Sequence, residues 1–190
     1  MNWMEIVSAV LVLVSVYLST RESIWAWPTA IVAVALFGAV LWEQRLFAGV
    51  GLQACFLVIS AYGWYHWLYG GAQHSELRVS RTTAKLALGT ALAWVVGTLG
   101  YGWLIVTYTS EPSLPWLDAG LSVASLLAQW LLSRKVLENW LVWVTVNVLY
   151  VGMFYVQGLL VYSALYVVLF FLAAKGYLDW RRSWRERPAA

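Results

Sequence analysis

The sequence predicts an all-α membrane protein with seven transmembrane helices, arranged as two parallel three-helix repeats joined by one linking helix, a 3+1+3 plan. Three observations predict it. First, 62% of the 190 residues are hydrophobic and only 11% are charged, against about 25% charged in soluble domains, and the mean hydropathy is +0.71. Second, seven segments are nearly free of charge, at roughly 4–19, 24–42, 50–69, 86–108, 117–133, 139–157 and 159–178. Each approaches the roughly 17–25 residues that cross a hydrocarbon core. Third, a shift of 113 positions, without a gap, lays Trp3 on Trp116, Arg21 on Arg134, Trp27 on Trp140, Gln44 on Gln157, Gly63 on Gly176 and Trp67 on Trp180. Over Trp3 to Trp67 the two copies share 13 identities in 65; the rare residue types carry the weight, since Leu and Val coincide easily in an apolar chain.

The repeats divide the chain into residues 1–70, a loop and linker helix at 71–115, a second unit at 116–183 and a tail at 184–190. Three helices per copy is an odd number, so a further span must return the chain before the second copy can begin on the same side. The fourth segment does this, and its Gly89, Gly97, Gly100 and Gly102 suit close helix packing in lipid. Sugar transporters of the SWEET type share such a plan.

Charge sets the orientation. With the C-terminus cytoplasmic, 11 of the 12 basic residues lie inside and only Arg45 outside, while the loop from Thr109 to Trp116 carries Glu111 and no positive charge. The positive-inside rule then places the N-terminus outside. The first segment reads as a retained helix, because Met1 to Trp3 with Glu5 lacks the basic start of a signal peptide. The basic tail Arg181 to Arg187 suits anionic headgroups rather than nucleic acid.

Within the segments, Pro28 sits in the opening turn of the second, as a first-turn proline or a gating hinge. The third places Gln53, Phe56, Ser60, Trp64 and Trp67 at spacings of 3 or 4, hence on one face. The sixth does the same with Trp143, Asn147, Tyr150 and Phe154. An amide at Asn147, near the middle of its span, is costly against lipid and should face the bundle interior. It serves there either as an interhelical hydrogen-bonding group or as a substrate-binding amide beside a stacking indole. Tryptophans at segment ends, among them Trp25, Trp27, Trp64, Trp67, Trp130, Trp140 and Trp180, read as an aromatic belt at the headgroups.

The remaining intramembrane polarity is neutral, chiefly Ser8, Ser15, Ser122, Ser125, Gln129 and Thr145. No Asp, Glu, Lys or Arg falls at a midplane position, and ion-coupled carriers normally need one. Uncoupled movement of a neutral or aromatic-cation solute follows. Cys55 is the single cysteine and His66 and His74 the only histidines, so neither a disulfide nor a metal centre is expected, and no cofactor. Neither HExxH, GxSxG nor a carboxylate pair occurs in a span, which argues against an intramembrane enzyme.

The runs QACFLVISAYGWYHW at Gln53 to Trp67 and SRKVLENWLVWVTVNVLYVGMFYVQG at Ser133 to Gly158, with Tyr166, Gly176 and Trp180 beyond them, resemble the PnuC vitamin transporters. The resemblance implies a SWEET-like fold, a homotrimer in the inner membrane, and inward facilitated diffusion of a vitamin precursor that a cytoplasmic kinase traps. For nicotinamide riboside it implies a site with the WxxxN motif on Trp143 and Asn147 and the glutamine on Gln53. Phe56 and Trp64 on the face of Gln53, Tyr150 on the face of Asn147, and Tyr166 complete the candidate substrate-binding residues. Some members carry a second Asn where this chain has Ala33, ahead of Leu36, Phe37 and Gly38. Thiamine-transporting relatives use the same framework, so thiamine is the alternative cargo and a non-transporting scaffold the alternative class.

Overall fold

The computed structural model describes residues 3–108 and 114–186. The expected outer loop, with Glu111, and the end of the tail, with Arg187, fall outside them. The described residues form seven α-helices: α1 Trp3–Thr20, α2 Ala26–Glu43, α3 Phe47–Tyr69, α4 Ala84–Tyr108, α5 Pro115–Ser133, α6 Asn139–Val156 and α7 Leu160–Glu186. α7 runs on through the basic residues, so the tail expected from position 184 is helical to Glu186. Pro28 lies in the first turn of α2, where its missing N–H breaks no ladder bond.

Six of the helices are long and apolar enough to cross a membrane; α5 is the exception. The reason lies in its stripe of Asp118, Ser122, Ser125, Gln129 and Ser133, spaced by 3 or 4. That stripe lowers the hydropathy of α5 and turns inward, with Ser122, Ser125 and Ser133 all buried.

Packing joins α1 to α2, α2 to α3, α3 to α5, α5 to α6, α6 to α7 and α7 back to α1, a closed ring of six. α4 stands outside the ring and packs on α5. The fit there depends on two of the four expected glycines: a Cβ at Gly97 would lie 2.9 Å from Val123 Cγ1 and one at Gly102 2.5 Å from the Trp116 ring, whereas Gly89 and Gly100 face open space.

Positions 113 apart repeat one another in detail. α1 and α5 end alike: the Ser23 N–H donates to Leu18 O (3.0 Å) and Glu22 N–H to Ser19 O (3.1 Å), as Val136 N–H does to Leu131 O (3.0 Å) and Lys135 N–H to Leu132 O (2.9 Å). This is the Schellman arrangement, which needs a left-handed residue after the helix; Glu22 (φ 53) and Lys135 (φ 49) supply it. α2 and α6 end in the same way, with Arg45 at φ 60 and Gly158 at φ 75.

The basic end of the ring is sealed by four indoles. Trp27 meets Trp67 edge-on at 5.2 Å, Trp140 meets Trp180 edge-on at 5.4 Å, and Trp67 meets Trp180 at 5.8 Å. The Trp67 N–H donates to Leu132 O (3.1 Å), and the Trp180 N–H to Ser19 O (2.9 Å). The two accepting carbonyls lie 113 positions apart, at the ends of α5 and α1. All four side chains are buried, which corrects the headgroup-belt reading for Trp27, Trp67, Trp140 and Trp180. The physical reason is a notch: the Trp27 ring lies on Gly63 and the Trp140 ring on Gly176, where a Cβ would come within 2.4 Å and 2.6 Å respectively. Lys135 Nζ completes the seal, donating to Glu22 Oε2 (3.1 Å) above the Trp67 ring.

The segment between α3 and α4 straps across this end. The Leu77 N–H donates to Trp67 O (3.1 Å), Ser80 and the α5–α6 turn exchange two backbone bonds of 2.9 Å, and Glu138 accepts from Arg81 Nε (2.5 Å) and the Thr82 N–H (2.8 Å). Burial alone would raise the Glu138 carboxyl, but these hydrogen bonds together outweigh it and hold the group below the usual 4.5. The stabilisation is therefore complete above pH ~4.5 and is lost as pH falls through the lowered folded-state value. Glu138→Gln should lower the thermal midpoint in detergent at pH 7, and the gap to wild type should narrow progressively as pH falls below the usual carboxylate range. A gap that persists at acid pH would show that the charge is not what holds the strap.

Candidate substrate-binding site

Between the indole seal and the other end of the helices, α5, α6 and α7 bring together a group of aromatic and small polar side chains. The 3.6-residue period carries Trp143, Asn147, Tyr150 and Phe154 up one face of α6. Tyr150 stacks on Phe154 (5.7 Å) and packs against Tyr166 of α7 (4.7 Å); Phe154 also meets Tyr166 (5.4 Å) and Tyr162 (5.6 Å). Trp143 touches both this cluster and the indole seal, so it forms the boundary between them.

Asn147 is 3% exposed. Among the described residues no hydrogen-bond partner meets its amide, although a buried amide normally has one. The Tyr150 hydroxyl lies beside Ser122 and Ser125 of α5. One turn below, Gln129 Nε2 donates to the buried Ser60 Oγ of α3 (3.3 Å). The interior wall therefore offers stacking faces, one free amide and a column of hydroxyls, which suits a flat aromatic solute bearing amide or hydroxyl groups. Among the described residues no group of His, Cys, Asp and Glu is placed to hold a metal ion.

Of the residues singled out in the sequence, Trp143, Asn147, Tyr150 and Tyr166 gather on one wall. The α3 residues lie apart from it, since α3 neighbours α2 and α5 rather than α6. Gln53 is half-buried against Gly38 of α2, Phe56 is half-buried, and Trp64 is 40% exposed. Ser122 and Ser125, noted only as neutral polar residues, prove to face Tyr150. The signal was available in the continuous stripe from Asp118 to Ser133, which is too regular for a uniformly lipid-facing helix.

A ring of membrane-length helices around a polar and aromatic interior defines a polytopic membrane protein. A family model described as nicotinamide mononucleotide transporter matches residues 2–182, and the chain belongs to that family. It is a membrane transporter, not an enzyme. The nicotinamide riboside transporter PnuC of Escherichia coli (strain K12) is 30% identical over 215 residues, covering 98% of this chain and 88% of the relative. The riboflavin/roseoflavin transporter RibM of Streptomyces davaonensis is 30% identical over 181 residues, covering 94% and 84%. A crystal structure of the vitamin B3 transporter PnuC superposes with a TM-score of 0.77 at 23% identity, over 97% of this chain and 83% of that one, which shows the same fold.

Proposed function

We propose that the protein carries nicotinamide riboside across the inner membrane by facilitated diffusion. The observation that carries the reading is the buried, unpartnered Asn147 amide beside the Trp143, Tyr150 and Tyr166 rings. Trp143 stacks on the pyridinium ring, to which indole and phenol faces are attracted. Asn147 and Gln53 bond the carboxamide or ribose, with Phe56 and Trp64 on the opposing wall. The pathway runs through the ring between two parallel units, residues 1–70 and 116–183, linked by α4 in a SWEET-like 3+1+3 plan with α5 as the seventh span. The repeated turns, the two Gly–Trp notches and the reciprocal indole caps support that plan. A cytoplasmic kinase traps the cargo by phosphorylation, and the functional unit is a homotrimer.

Transport is uncoupled in this reading, since the wall built by Trp143, Asn147, Tyr150 and Tyr166 holds no ionisable acid or base of ordinary neutral range. Proteoliposomes containing buffer alone should equilibrate labelled nicotinamide riboside without concentrating it, at the same rate with and without an uncoupler. Accumulation above the external level would contradict the proposal. The N-terminus lies outside and the C-terminus in the cytoplasm, so reporter fusions at the two ends should report opposite sides; a shared side would remove the seven-span plan.

The likeness to RibM favours riboflavin as a second reading. The flavin ring offers the same flat aromatic surface and amide edge to Trp143 and Asn147. Riboflavin fluorescence is the discriminator: quenching on titration with purified protein, competed poorly by nicotinamide riboside, selects riboflavin, whereas unquenched emission selects nicotinamide riboside.

A further inference from the structure

Because α4 packs chiefly on α5, a cleft opens between α3 and α4, floored by α5. Its deeper part is an apolar cavity of about 460 Å³, with Ile59 on one wall, Leu86, Gly89 and Ala93 on the other and Leu126 and Leu127 below. The space beside Gly89 is open, since a Cβ there would touch nothing within 4 Å. At the basic end of the helices, a second cavity of about 510 Å³ adjoins it and shares Leu86; His66, Arg81 and Arg134 line this cavity. Lys85 lies in the rim of the first. The Arg134 guanidinium rests 5.1 Å above the Trp130 ring, and Trp130 also lines the apolar cavity. Of these cations Arg81 is paired, to Glu138. Lys85 and Arg134 have no carboxylate partner among the described residues.

We infer that this cleft binds one anionic phospholipid, with an acyl chain along Ile59, Gly89 and Leu126 and the phosphate between Lys85, Arg134 and His66. The charge pattern selects the occupant. An apolar slot of helix-to-helix depth ending in unpaired cations at headgroup level matches a chain with an anionic head, and basic pockets between transmembrane helices bind such heads. The site is separate from the aromatic wall around Asn147, which lies inside the ring while the cleft lies outside it.

Native mass spectrometry of the full chain, released from detergent with equal amounts of phosphatidylglycerol and phosphatidylcholine of the same acyl chains, tests this. Wild type should retain phosphatidylglycerol in preference. Lys85→Gln with Arg134→Gln should lower that preference by about five-fold per charge, roughly 25-fold for the pair, while Gly89→Phe should block both lipids. Inorganic phosphate at millimolar concentration should not displace the lipid. A photoreactive benzoylphenylalanine at position 89 should give adducts of phospholipid mass. Equal retention of the two lipids, displacement by phosphate alone, or adducts between two copies of the chain would each overturn the inference, the last by making the cleft a protein interface.

Discussion

Replacing Trp180 with alanine is expected to destabilise the protein strongly through loss of the indole seal. The side chain is 0% exposed, it touches both Trp67 and Trp140, and its N–H satisfies the Ser19 carbonyl at the end of α1. Removing a buried indole leaves a cavity that costs about 3–5 kcal/mol, which for a chain of this size corresponds to a fall of roughly 6–20 °C in thermal midpoint. Trp180→Phe should cost less, about 1–3 kcal/mol, because it keeps most of the ring and loses the hydrogen bond. Trp67→Ala should behave like Trp180→Ala, since Trp67 makes the equivalent bond to Leu132 O. The double variant should cost less than the sum of the two, since the rings are in contact. Thermal denaturation in detergent measures all four. A Trp180→Ala midpoint within 2 °C of wild type would mean that the seal does not hold the helix ring together.

Asn147→Leu is expected to leave the fold intact and to weaken the cargo. The amide has no partner among the described residues, so its removal breaks no bond within the chain, and leucine is well accepted in a membrane helix. In the complex, a group of the ligand loses its partner, at about 1–3 kcal/mol, or roughly 5- to 150-fold in affinity. Calorimetric titration with nicotinamide riboside, alongside a thermal melt, separates the two effects. Unchanged affinity, with wild type binding normally, would assign Asn147 to helix packing. Trp143→Ala should also weaken binding, but Trp143 abuts the indole seal and its truncation lowers stability as well.

Much of the architecture could be read from residue order. The apolar segments matched α1 to α7 to within a few residues at most ends, because hydropathy over a span is a property of the local chain. The two ring–glycine notches were foreshadowed by Trp27 and Gly63 and their counterparts Trp140 and Gly176 at a spacing of 113, because each notch needs the same two residue types wherever it is built. The WxxxN face of α6 followed from helical period alone.

What period and composition left open was direction. An indole at a helix end serves equally at the headgroups or in a core, and only tertiary packing, in which the Trp67 and Trp180 rings meet at 5.8 Å, turns these two inward. The α3 residues Gln53, Phe56 and Trp64 share a face by spacing, and ring order sets α5 between α3 and α6, an order that spacing within α3 does not fix. In the same way the stripe of α5 declares a polar side, but it takes the docking of α6 to bring Ser122 and Ser125 to the Tyr150 hydroxyl. A helix's own residues set its length, its faces and its capping turns, which are short-range; which faces meet depends on contacts between residues some hundred positions apart, and these only tertiary packing decides.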